Sequence, residues 1–159
     1  MIAYLKTAGD PVITRTSPDS IFVYSRSIDK ILRFDTGSDQ IQAIYPLEQG
    51  LELSDFAYSA GHQRLYVSYA DDSTIAYFDN NKSLSEFAQA PSNVQRLMSA
   101  GNYLLVATGR DFVSYDANAI ELGRTYWYDA IEYYTWNEST STLYYSAPTD
   151  RRLIGWVNI

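Results

Sequence analysis

Leu65-Tyr66-Val67-Ser68-Tyr69-Ala70-Asp71-Asp72-Ser73-Thr74-Ile75-Ala76-Tyr77-Phe78-Asp79 holds two short apolar runs separated by a polar turn. Runs this brief, rich in β-branched and aromatic residues, suit a pleated, half-buried surface and read as two strands of a hairpin. The pattern recurs. Ile21-Phe22-Val23-Tyr24-Ser25, Leu104-Leu105-Val106-Ala107 and Leu143-Tyr144-Tyr145-Ser146 are further first runs, and the starts of the four lie 44, 39 and 39 residues apart. The second runs are Ile31-Leu32-Arg33-Phe34-Asp35, Phe112-Val113-Ser114-Tyr115-Asp116 and Leu153-Ile154-Gly155-Trp156, the last with Val157 in place of the Asp.

Each hairpin has a candidate strand before it, at 12–16, 55–59, 95–99 and 132–136, and three have one after it, at 40–45, 84–89 and 123–128. Turn chemistry separates them, as in Ser17-Pro18-Asp19-Ser20 and Ala60-Gly61-His62-Gln63. No stretch carries an apolar stripe at helical spacing. Four antiparallel strands per ~40 residues is the count of a propeller blade. Repeats at roughly 7–46, 51–90, 94–129 and 131–159 plus 1–6 then give an all-β propeller of four four-stranded blades. The alternative is half of a seven- or eight-bladed ring.

The repeat resembles the YVTN-type β-propeller repeat, which reads leucine-tyrosine-valine, a polar turn, then an apolar strand ending in a hydrophobic-Asp pair. The segment 65–79 matches best, and the resemblance extends over nearly the whole chain. It implies a propeller fold and no particular activity. Strand order adds a closure: with blade strands lettered A to D from the axis outward, the chain ends on a C strand. Ile2-Ala3-Tyr4-Leu5 stands where the missing D strand belongs, beside Leu153 to Trp156.

A net charge of −7 with no basic run argues against nucleic acid as a partner. No apolar stretch approaches the ~18 residues of a membrane span, so no membrane insertion is expected. With no cysteine and one histidine, disulfides, thiol nucleophiles and zinc sites lack their residues. Met1-Ile2-Ala3-Tyr4-Leu5-Lys6 lacks the build of a signal peptide, so the leader of an exported parent would lie outside this chain. The expectation for location is extracytoplasmic, in a bacterial envelope or secreted protein.

Gly-rich phosphate motifs, a nucleophile elbow and the sialidase Asp-box are missing. His62, in a Gly-containing turn with no partner at a recognisable spacing, reads as structural. Asp29, Asp72, Asp111 and Asp150 each follow a B strand by a similar interval, with Lys30, Arg110 and Arg151 beside three of them. B–C turns and D–A connections share one face of a propeller, so Asp10, Glu52, Asn93 and Asp129 join the same face. Such an array suits a protein or carbohydrate ligand, and its carboxylates leave calcium as a cofactor to be tested. The structural alternative is that Asp favours tight turns, which applies above all to Asp35, Asp79 and Asp116.

The densest aromatic segment, residues 126–136, suits packing between blades, and Asn137-Glu138-Ser139 is a glycosylation sequon. The expected function is a non-enzymatic binding scaffold. Two rivals are a propeller hydrolase or lactonase using carboxylates with a metal, and a homodimerising module that completes a ring.

Overall fold

The computed structural model describes residues 11–126 except 18 and 39, together with 133–137, 140, 142–146 and 154–155. Among them there is no helix, and every element is a strand. The first sheet is a meander of β1 (Pro11–Ser17), β2 (Ser20–Ser25), β3 (Lys30–Asp35) and β4 (Ile41–Pro46). The second is β5 (Leu53–Ser59), β6 (Arg64–Tyr69), β7 (Thr74–Phe78) and β8 (Leu84–Gln89). The third is β9 (Val94–Ala100), β10 (Tyr103–Thr108), β11 (Asp111–Tyr115) and β12 (Glu121–Tyr126). β13 (Tyr133–Asn137), β14 (Thr142–Ser146) and β15 (Ile154–Gly155) form a sheet of three described strands.

All pairings are antiparallel, which makes the chain an all-β, propeller-like succession of meanders. The expected strands are present with shifted ends. The largest shift is in β12, expected at 123–128 and found at Glu121–Tyr126. A three-residue hairpin loop whose last residue, Ala119, has φ 64° returns the chain to the ladder at once. The closing strand expected from Ile2 to Leu5 lies outside the described residues.

The chain divides into two compact units, 1–51 and 52–159. In the first, Val23, Leu32 and Phe34 cluster on one sheet face, with Ile21 packed against them. In the second, the second and third sheets pack face to face. Tyr66, Ile75 and Ala57 meet Leu97, Leu104, Val106, Val113 and Tyr115. Phe87, from β8, sets its ring 4.8 Å from Tyr66 and 6.1 Å from Tyr115, edge to face in both cases. Each large side chain buried here stabilises the unit by ~1.5–3 kcal/mol. The third and fourth sheets repeat the arrangement with Leu105, Ala107, Phe112 and Leu143, and Trp136 packs against this cluster.

Polar bonds fix how the second sheet sits on the third. Asp55, on β5 and fully buried, accepts the backbone N–H of Phe56 through Oδ1 and that of Leu97 on β9 through Oδ2, both at 2.9 Å. Ser54 Oγ donates to the carbonyl of Val94 at 2.8 Å. Arg64 lies over the Tyr77 ring, 4.4 Å from its centroid, and donates to the carbonyl of Ala117 at 2.7 Å.

Replacing Asp55 with Ala withdraws a buried charged acceptor from two amides and is expected to cost about 2–4 kcal/mol. Asn, which keeps one acceptor oxygen, should cost less. Urea unfolding checks this, as a fall in midpoint without a change in slope.

Candidate functional site

One end of the sheets carries the turns between second and third strands and the connections from sheet to sheet. Backbone hydrogen bonds hold these two sets of loops together. In the first unit Leu47 N–H donates to Asp29 O at 3.3 Å. In the second, Ala70 N–H donates to Glu52 O at 2.7 Å, Ala90 N–H to Ser73 O at 2.8 Å and Val94 N–H to Asp72 O at 2.9 Å. Within each unit these bonds join a turn to the connection beside it. The β6–β7 turn becomes a corner on which Glu52, Asp72 and Asn93 gather.

Equal spacing in sequence does not give equal position in the sheets. Asp29 ends a four-residue turn at φ 51°, and its N–H donates to Ser25 O at 3.1 Å. Asp72 is third in its turn. Its Oδ1 accepts the N–H and the hydroxyl of Thr74, both at 2.9 Å, and the backbone bond first of all lowers its carboxyl below the ordinary value. Asp71 precedes it at φ 60°, exposed, and is the outward carboxylate of that corner. The sequence reading passed over Asp71. The Asp-Asp pair was visible, but which of the two caps the turn depends on backbone conformation.

Asp111 is no turn residue. Only Gly109 and Arg110 separate β10 from β11, two residues fewer than in the first and second sheets, and this shift carries Asp111 into the strand. It is 8% exposed. Its Oδ2 is 3.4 Å from the Thr108 hydroxyl, while Oδ1 is buried with no hydrogen-bond partner in the protein. Glu52, Asn93 and Arg110 are exposed at the same end. Asp10, Asp129, Asp150 and Arg151 lie outside the described residues. Among the described residues no three His, Cys, Asp or Glu side chains converge to hold a metal.

The opposite end has a uniform device. Asp35, Asp79 and Asp116, which end the aromatic-Asp pairs, each turn one oxygen onto two backbone amides of the following loop. Asp35 takes Gly37 and Ser38 at 2.9 and 2.6 Å, Asp79 takes Asn81 and Ser83 at 2.8 and 2.9 Å, and Asp116 takes Asn118 and Ile120 at 2.8 and 2.9 Å. These bonds lower the carboxyl pKa of Asp35 and Asp116, the largest effects coming from the amides of Ser38 and Ile120. All three are turn formers, as expected.

His62 sits at this end too. Its Nε2 lies 2.9 Å from the Asn102 carbonyl and must donate, so in the neutral ring Nδ1, 2.8 Å from Tyr66 Oη, accepts. Nε2 thus joins the second sheet to the third, while Nδ1 ties the turn to its own sheet. A Cβ at Gly61 would stand 2.9 Å from Asn102 Oδ1, which can swing aside, and 3.3 Å from the Gly101 carbonyl oxygen.

No family model matches the chain, and no curated protein does. Among 733 matching chains of known structure is hydrazine synthase from Kuenenia stuttgartiensis, a protein containing a β-propeller. The likeness has a TM-score of 0.68 at 16% identity over 85% of this chain. This chain spans 41% of that protein's length. At such identity the likeness concerns fold alone, and folds this widespread host unrelated functions.

The orphaned Oδ1 makes Asp111 a carboxylate held at a cost to stability. Asp111→Val should leave the urea midpoint unchanged or raise it, opposite in sign to a substitution at Asp55, because what is lost is a long hydroxyl bond and a solvent-screened attraction to exposed Arg124.

Proposed function

We propose that this chain is a β-propeller segment of the YVTN kind that works as a non-enzymatic binding scaffold, with protein or carbohydrate taken at the loop end. The observation that carries the proposal is the fastening of the β6–β7 turn to both neighbouring connections through Glu52, Asp72 and Ser73. That fastening gives exposed Glu52, Asp71 and Asn93 a rigid base, and binding residues concentrate on loops held by a rigid scaffold. Acidic and amide groups so arranged suit sugar hydroxyls or basic side chains. The commitment of both His62 nitrogens to structure supports a non-catalytic role.

We place the chain in a larger bacterial surface or secreted protein, as four blades with Ile2 to Leu5 as the outer strand of the last. Deleting residues 1–6 should then destabilise the protein by several kcal/mol and promote aggregation, since it removes a strand and exposes an edge. An unchanged melting curve would refute the closure.

Asp111 is the one observation favouring the rival hydrolase or lactonase, because a buried carboxylate oxygen without a donor, as Oδ1 is, calls for an explanation and a functional role is one. A melting temperature raised by calcium, with turnover of a lactone or glycoside, would favour that rival. For the scaffold, Glu52→Gln, Asp71→Asn and Asn93→Ala combined should abolish binding to hits from a glycan array or a basic-peptide library. Asn118→Ala, at the other end, should not. Equal loss in both would mean that the loop end is not the site.

A further inference from the structure

β9 begins at the loop end with a break in the alternation of a strand. Thr108 pairs with Val94 and Ala107 with Arg96, so Gln95 is the extra residue of a β-bulge. Burial follows the bulge: Val94 and Leu97 are buried, while Gln95 and Arg96 between them are both exposed. The second sheet holds the flanks. Val94 donates its N–H to Asp72 O at 2.9 Å and accepts Ser54 Oγ at 2.8 Å, and Leu97 donates to Asp55 Oδ2 at 2.9 Å. In β5 the same bulge falls on Ser54, and there Ser54 and Asp55 are the pair that reaches the next sheet. In β9 the corresponding pair, Gln95 and Arg96, faces solvent on a backbone fastened at both flanks.

Gln95 lies over the two-residue β10–β11 turn. A Cβ at Gly109 would stand 3.8 Å from Gln95 Nε2, and Arg110, next in the turn, is exposed. Arg96 bends back towards the loop end, donating through Nη1 to the Gln95 carbonyl at 3.3 Å. Among the described residues neither guanidinium pairs with a carboxylate. The chain has 19 Asp and Glu against 12 Lys and Arg, so acidic partners are in ample supply. Two unneutralised guanidiniums and an amide nonetheless share one corner of an acidic protein.

We infer that this corner, Gln95 with Arg96 and Arg110, holds the anionic group of an acidic carbohydrate. The inference rests on the reading of the loop end as a binding site and names its ligand class. Guanidinium donors match the oxygens of a carboxylate or sulfate and bond them in pairs. The bond from Val94 to Asp72 O sets Asn93 beside the β6–β7 turn, where exposed Asp71 and Asn93 accept bonds from sugar hydroxyls. An acidic sugar carries both kinds of group on one ring. An acidic peptide suits the place less. The N–H groups of Ala90, Val94 and Leu97 are already taken, which leaves a peptide main chain little to pair with. Glu52 and Asp71 also repel a run of acidic side chains.

A glycan array with uronate, sialate, sulfated and neutral members tests the inference on the full chain. Acidic members should bind, and the carboxylate and sulfate sets show which anion is taken. Methyl esterification or desulfation of a bound glycan should weaken binding by about tenfold or more. Arg96→Gln combined with Arg110→Gln should weaken it as much, with unchanged thermal melting. Lys82→Gln, in the β7–β8 turn at the opposite end, should not. Binding of neutral glycans alone, or acidic binding that survives both arginine substitutions, overturns the inference. So does capture of acidic peptides in preference to every acidic glycan. Neutral glycans that bind, and are lost with the Glu52, Asp71 and Asn93 substitutions, leave the loop-end reading standing without this inference. No binding of any glycan or peptide ends both. Should the double arginine variant fail to fold, the charge-removed glycans decide on the wild type, and unchanged affinity for them overturns the inference.

Discussion

A four-stranded meander with apolar side chains on both faces cannot keep either face in water, so each sheet in the second unit depends on its neighbour. Hydrophobic burial supplies the attraction but is indifferent to register. Register comes from the Asp55 carboxylate, which leaves β5 to take the Leu97 amide of β9 and fixes one first strand against the next. By repeat alignment the counterparts of Asp55 are Ile13, Arg96 and Tyr133, none of which can accept through a carboxylate. The His62, Arg64 and Ser54 bonds reinforce this junction.

The two ends of the sheets follow different rules. At the end bearing Asp35, Asp79 and Asp116, each carboxylate closes its own loop, and the solution is the same three times. At the loop end the turns differ in length and conformation: Asp29 and Asp71 take left-handed φ at different places in their turns, and the third turn loses two residues. Uniformity belongs where the loops only return the chain. Variation belongs where an anchored base can present different groups, which supports recognition at that end.

Solvent exposure of the fourth strands explains their charges, and β4 is the exception. A fourth strand has a neighbour on one side only, so its outer backbone and one face meet water unless something covers them. Glu86, Glu121 and Arg124 satisfy that condition directly. Ile41 and Ile44 leave apolar surface exposed there.

The sequence alone determined the all-β class, the ~40-residue repeat, most strand positions and the turn role of Asp35, Asp79 and Asp116, because these follow from local alternation and local turn chemistry. In the sequence His62 stands in a turn with no partner at a recognisable spacing. Only the tertiary structure decided what His62 bonds, since Tyr66 is near in sequence but Asn102 is forty residues away. Likewise the spacing that set Asp29, Asp72 and Asp111 in one series counted residues along the chain. Position in a sheet is counted along the ladder, and a turn shortened by two residues moves a side chain from solvent into the interior. The clasp at Asp55 was illegible for a related reason: a carboxylate in a strand reads as solvent-facing until the neighbouring sheet brings an amide to it.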